Sequence, residues 1–221
     1  ITAVHSDAQT AWDAINAGIE EISRIEKVIS SWDPNSETSE VNRNAGIQPV
    51  KVSKELFDLV SRSVQISKLT SGSFDISYAS MDRIWKFDGS MSEMPVAETV
   101  AKAASKINYK NIILNKDDQT IFLKEKGMKI GFGAIGKGYA AQKAKEVMHH
   151  LGIENGLVNA SGDLIAWGKQ ADASNWEIGI ADPKDKNTAL LSLAVNDGSV
   201  VTSGDYERFV MFDGKRYAHI I

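Results

Sequence analysis

The stretch Lys129–Gln142 reads KIGFGAIGKGYAAQ and satisfies two phosphate-binding spacings at once. Gly131, Gly133 and Gly136 fit G-x-G-x-x-G, a turn that lets a backbone approach a dinucleotide pyrophosphate. Gly131 to Lys137 also fit G-x-x-x-x-G-K, but Gly138 stands where a P-loop needs the hydroxyl that holds magnesium. A dinucleotide fold further requires the motif after the first strand of a βαβ unit, with an acid about 20 residues on to hold a ribose. Here it sits in mid-chain after a hairpin pattern, and the next plausible acid, Asp163, lies well beyond that spacing. What both motifs share survives: glycines that permit close approach, and a helix start that aims unpaired N–H groups at an anion. These residues favour a phosphate or pyrophosphate site of a third type. The alternative is a tight strand-to-helix turn with a surface lysine. Lys137 at a helix start should face solvent or ligand, so its loss is expected to cost little stability.

The elements that must position this loop are readable in outline. Apolar residues Ala11, Ile15, Ile19, Ile22, Ile25 and Ile29 recur at helical steps, which predicts an amphipathic helix over 7–29 with all six inward. SSWDPNSETSEVNRNAG reads as a polar loop. A second helix follows over 53–69, capped by Ser53, with Leu56, Val60, Val64 and Ile66 toward a core. After an irregular stretch, residues 98–107 read as helix, and NIILNKDDQTIFLKEKGMKIGFG as short strands joined by a turn near 116–119. Residues 137–151 are helical, with Ala140, Ala144, Val147 and Met148 inward, and the rest is strands with a hairpin at Asp213-Gly214. The mixed order predicts α+β, with mixed antiparallel sheets and flanking helices, rather than regular βαβ winding. The 221 residues are 43% hydrophobic, enough for a sizeable core without staples. With 25 basic and 29 acidic residues the chain lacks the clustered positive charge that nucleic acid requires, so no nucleic-acid partner is expected. There is no cysteine, which excludes disulfides and thiol chemistry. No apolar run approaches the roughly 20 residues of a membrane span.

GFGAIGKGYAAQ resembles the central motif of the ApbE-type flavin transferases, a Gly-Gly/Ala-Ile-Ala/Gly-Lys-Gly-Tyr-Ala run. SSWDPNSETSEVNR, TSGSFDIS, GLVNASGDL, WEIGIADP, VVTSGDYER and KRYAHII match further blocks in the family's order. The resemblance implies one such domain over residues 1–221, with two lobes around a cleft that binds FAD. It implies a magnesium-dependent FAD:protein FMN transferase that attaches FMN through a phosphoester to a Ser or Thr of a partner protein. An FAD pyrophosphatase releasing FMN and AMP, or a flavin-binding protein without turnover, are the alternatives. Export to the periplasm or the outer face of the cytoplasmic membrane is also implied, often as a lipoprotein whose signal and lipid anchor are removed.

The resemblance also assigns residues. Trp32 would stack on the flavin, and Asn42 would orient a phosphate oxygen near the metal. Ser73 and Asp75 would line the cleft, Asp75 accepting hydrogen bonds from a hydroxylated part of FAD; Ile76 replaces the family's usual proline. The carbonyl of Ala134 would ligate magnesium, and Lys137 would neutralise phosphate charge. Asn159, Ser161, Gly162 and Asp163 would form a second ligand-facing turn, with Ser161 in place of a usual Gly. Thr202 and Ser203 would form a third. His219 would be the general base, since imidazole can take a proton from a hydroxyl near neutral pH. The family's magnesium-binding Asp and Thr lie downstream of this His, whereas the sequence stops two residues after it, so a C-terminal segment is expected to be missing.

Overall fold

The computed structural model describes residues 1–88, 90–182, 185, 188–204 and 209–218. In chain order these form β1 (Thr2–Val4), α1 (Ala8–Ile29), α2 (Glu37–Arg43), β2 (Val50–Lys51), α3 (Lys54–Leu69), α4 (Ala97–Ala104), β3 (Ile112–Asn115) and β4 (Thr120–Leu123). Then come α5 (Gly136–His150), β5 (Asn155–Ala160), β6 (Asp163–Trp167), β7 (Trp176–Ala181), β8 (Ala189–Val195), β9 (Gly198–Val201), β10 (Phe209–Phe212) and β11 (Lys215–Ala218). Every strand pairing among them is antiparallel, so the fold is the expected α+β class. The described residues make two compact units, 1–25 with 135–204 and 26–134 with 209–218.

The first unit is built on the sheet β1-β5-β6-β9. Side chains alternate across a strand, so β6 packs on both faces and is buried at all five positions. Ile165 and Trp167 join Val158, Ala14 of α1, and Ala141, Ala144 and Met148 of α5. On the opposite face, Leu164 and Ala166 meet Trp176, with Ile178 and Val195 of β7 and β8 against them. Gly156 lies opposite Trp167, and a Cβ there would sit 2.4 Å from the indole, so only glycine fits. The buried indole N–H is satisfied by the carbonyl of Ile153 at 2.8 Å.

Helix α1 starts at Asp7, whose carboxylate accepts the Thr10 N–H at 2.8 Å and the Thr10 hydroxyl at 2.6 Å. Its innermost face is Ala14, Gly18, Ile25 and Val28, with Ala11, Ile15, Ile22 and Ile29 half-buried. Ile19, expected inward, is half exposed. It follows Gly18 directly and so points about 100° away from the buried arc. On α5, likewise, Ala140, Ala144 and Met148 are buried as expected, while Val147 is half-buried and Ala141 takes the inner place.

In the second unit, α2 and α3 pack on the sheet β2-β4-β3, burying Leu56, Val60, Ile121 and Leu123 completely. Ser53 caps α3 as expected, accepting the Leu56 N–H at 3.2 Å. Ile66 is only half-buried; the inner face instead carries Ser63 and Ser67, whose hydroxyls donate back to the carbonyls of Leu59 and Ser63 at 2.7 and 3.0 Å. Helix α2 arises within the stretch expected as loop. Ser36 Oγ accepts the Ser39 N–H at 3.0 Å, and Thr38 and Val41 are buried. Seven mostly polar residues carry no periodic signal, and the Ser36 cap was the readable cue. Hairpin β10–β11 turns at Asp213-Gly214, with φ of 50° and 73°, as the sequence predicts.

Candidate functional site

In the first unit, the tight turn between β5 and β6 collects most of the sequence-predicted residues. Ser161 and Gly162 are its two central positions, with φ of 54° and 95°, the left-handed pair of a type I′ hairpin turn. Ser161 thus adopts a conformation that glycine reaches more easily. Asn159 supports the turn by accepting the Gly162 N–H on Oδ1 at 2.9 Å. Asp163 begins β6 opposite Val201, so Thr202, the next residue, stands level with Gly162. A Cβ on Gly162 would lie 3.6 Å from Thr202 Oγ1. Thr202 and Ser203 are exposed beyond β9.

Lys137, in the first turn of α5, reaches this turn. Its ammonium lies 3.0 Å from Asp163 Oδ1 and donates to the Ser161 carbonyl at 2.9 Å. The Asp163 side chain is 8% exposed and that of Lys137 47%. This corrects the expectation that Lys137 is dispensable for stability, because it neutralises a nearly buried carboxylate. The preceding Ile135 has no side chain that can cap α5, and among the described residues no side chain accepts from the N–H groups of its first turn. The result is a helix start of the kind that suits an anion, with one lysine beside it.

In the second unit, the glycine stretch that precedes α5 is held by unusual partners. Residues 128–132, expected as strand, are irregular. Ser80 Oγ bonds both backbone groups of Lys129 at 2.8 Å. Asn42 does the same for Ile130, accepting its N–H at 2.8 Å and donating to its carbonyl at 3.0 Å. Gly131 N–H then donates to the carbonyl of Ile76 at 2.9 Å. Side chains thus replace the neighbouring strand, which explains why a strand-like sequence does not join the sheet. Asn42, expected at a phosphate, has both amide ends on this backbone and positions the loop. The carbonyl of Ala134, in the exposed turn that follows, accepts no hydrogen bond among the described residues.

Asp75 is similarly engaged. Its carboxylate accepts the Ser77 N–H and hydroxyl at 2.8 and 2.7 Å and the Tyr109 N–H at 2.8 Å, so it ties the 3-10 turn 76–80 to residues 108–109. The expected acceptor for a ligand hydroxyl is, in this structure, a turn-holding residue. Ser73 is exposed, in the turn that follows α3. Trp32 is 74% exposed, as the polar loop suggested, and the Arg83 guanidinium covers its ring at 4.2 Å. Arg43 bonds Glu40 and the carbonyl of Pro34. His219, the expected base, lies outside the described residues. Sequence reasoning missed Tyr78, Ser80 and Arg83. Their stretch SYASMDR has no periodicity, and only its fold places them at the loop and the indole.

The family model described as the ApbE family matches residues 1–221. The chain is 30% identical over 201 residues to an FAD:protein FMN transferase of Klebsiella pneumoniae, covering 90% of this chain and 62% of that protein. It is 28% identical over 225 residues to an FAD:protein FMN transferase of Treponema pallidum, covering 94% of this chain and 62% of that protein. The chain thus spans about three fifths of the length of these curated relatives. The crystal structure of the ApbE protein of Thermotoga maritima superposes with a TM-score of 0.84 at 29% identity, over 96% of this chain and 68% of that one.

Proposed function

This chain belongs to the ApbE family, and from that premise we propose that it carries the FAD-binding residues of an FAD:protein FMN transferase. The observation that carries the reading is the glycine–lysine motif on the uncapped first turn of α5, in a chain the family matches from end to end. Lys137 and the free amides of that turn favour a phosphate of FAD over a neutral ligand. The exposed ring of Trp32 offers the flavin an aromatic face. Thr202 and the turn at Ser161-Gly162 supply neutral polar groups beside the lysine. By its family position His219 takes the proton from a Ser or Thr hydroxyl of the acceptor protein. That oxygen then bonds to the phosphorus of the FMN half while the pyrophosphate bond to AMP breaks.

Magnesium is part of this proposal. The carbonyl of Ala134, which accepts no hydrogen bond among the described residues, suits a hard cation that prefers oxygen ligands. When bound, the ion would polarise phosphate oxygens and offset developing charge. The proposed setting is the periplasm or the outer face of the cytoplasmic membrane, with lipid attachment as the family resemblance implies. Among the described residues no helix is long and apolar enough to cross a membrane.

Incubation with FAD, magnesium and a protein bearing a Ser/Thr acceptor tests the reading. The expected product is an acceptor heavier by one FMN, with AMP released. Free FMN and AMP without labelled protein would leave only the hydrolase. No turnover together with no FAD binding would overturn the proposal.

A further inference from the structure

Tyr78 sits in the 3-10 turn 76–80, directly beneath the glycine stretch. A Cβ built on Gly133 would lie 2.4 Å from its hydroxyl oxygen, and one on Gly131 would lie 3.6 Å from it. Neither glycine has a positive φ, so the close phenol, and not backbone strain, is what a side chain at 133 would have to displace. Tyr78 is 42% exposed, and among the described residues its hydroxyl has no hydrogen-bond partner. The neighbouring groups are all taken: Ser80 by Lys129, Asn42 by Ile130, and the Ile76 carbonyl by Gly131. The clamp stops there. The amides of Phe132, Gly133 and Ala134 donate to no acceptor among the described residues. The group beside these free amides is therefore a solvent-reachable phenol at the side-chain position of Gly133.

We propose that the Tyr78 hydroxyl is a further ligand-binding group, donating a hydrogen bond to a phosphate oxygen of the dinucleotide as it crosses Gly133. This rests on the FAD reading above and adds a determinant of substrate class, selecting a phosphorylated flavin over riboflavin. A neutral donor on a charged oxygen is a strong hydrogen bond. The phenol O–H is such a donor. With only two side-chain torsions, a tyrosine also presents that donor with little rotamer freedom to lose.

The test is titration of the wild-type protein and Tyr78→Phe with FAD and with riboflavin, read by flavin fluorescence. The expected result is FAD affinity lowered about tenfold or more, the scale of one hydrogen bond to a charged group, with riboflavin affinity unchanged. Equal FAD affinity in the two proteins would overturn the inference. So would a parallel loss for FAD and riboflavin, which would mean that the phenol serves the ring system or the shape of the site. A wild-type protein that binds no FAD would sink the parent reading and this inference with it. Thermal unfolding checks the geometry without any ligand. Gly133→Ala should lower Tm in the tyrosine background. It should do so much less with Tyr78→Phe, where the nearest ring atom is 3.6 Å away instead of an oxygen at 2.4 Å. Equal effects in both backgrounds would show that the hydroxyl does not stand over Gly133.

Discussion

Lys137→Ala should destabilise the protein as well as weaken FAD binding. At 3.0 Å from Asp163 and an effective dielectric near 20, the gross attraction is about 5.5 kcal/mol. Most of this is offset, because Asp163 is desolvated at 8% exposure while Lys137 remains 47% exposed. Exposed pairs are worth about 0.2–1 kcal/mol, and breaking a buried pair costs about 3–5 kcal/mol. This mixed pair belongs between them, at about 1–2 kcal/mol. For a chain of this size that corresponds to a Tm lower by about 2–8 °C. The assay is a double-mutant cycle by thermal and urea unfolding, with Lys137→Ala, Asp163→Asn and both together. Asp163→Asn removes the stranded charge but keeps the shape, so the double variant should be no less stable than Lys137→Ala alone. If the single effects add within about 0.5 kcal/mol, the two groups are uncoupled and the reasoning fails.

Trp32→Ala should lower FAD affinity about tenfold, the scale of one aromatic stack, yet shift stability by no more than about 0.5 kcal/mol because the ring is exposed; an unchanged FAD affinity would remove Trp32 from the site. His219→Ala should reduce FMN transfer by about 10²-fold or more while FAD binding persists, and a variant that transfers normally would exclude His219 as the base. Hydrogen bonds from the Thr10 side chain and then its backbone hold the Asp7 carboxyl below its usual range. That lowered pKa stabilises the fold above the ordinary carboxylate pKa, and the contribution is lost as pH falls through the folded value. Asp7→Asn should therefore flatten acid unfolding below about pH 4, and an acid transition identical to wild type would show that this cap does not contribute.

The sequence by itself determined the local elements. Helices α1, α3 and α5 and the turns at Asp213-Gly214 and Ser161-Gly162 follow from periodicity, caps and turn residues within a few positions of one another, because each such hydrogen bond closes a short ring. The family blocks named the candidate residues from the same string. Sequence could not assign their work. Asn42 and Ile130 stand 88 residues apart and Ser80 and Lys129 49, yet these pairs decide that a strand-like stretch becomes a clamped loop, while Asp75 and Tyr109, 34 apart, hold the turn 76–80. The same holds for Lys137, a free cation in sequence until the β5–β6 hairpin brings Asp163 to it. Even α1 shows the divide. Its period was legible, but which arc turned inward, leaving Ile19 in solvent, depended on where α5 and the sheet lie. Polar side chains carry no mark of a distant partner, since only chain closure sets which of them meet and which stay free for a ligand.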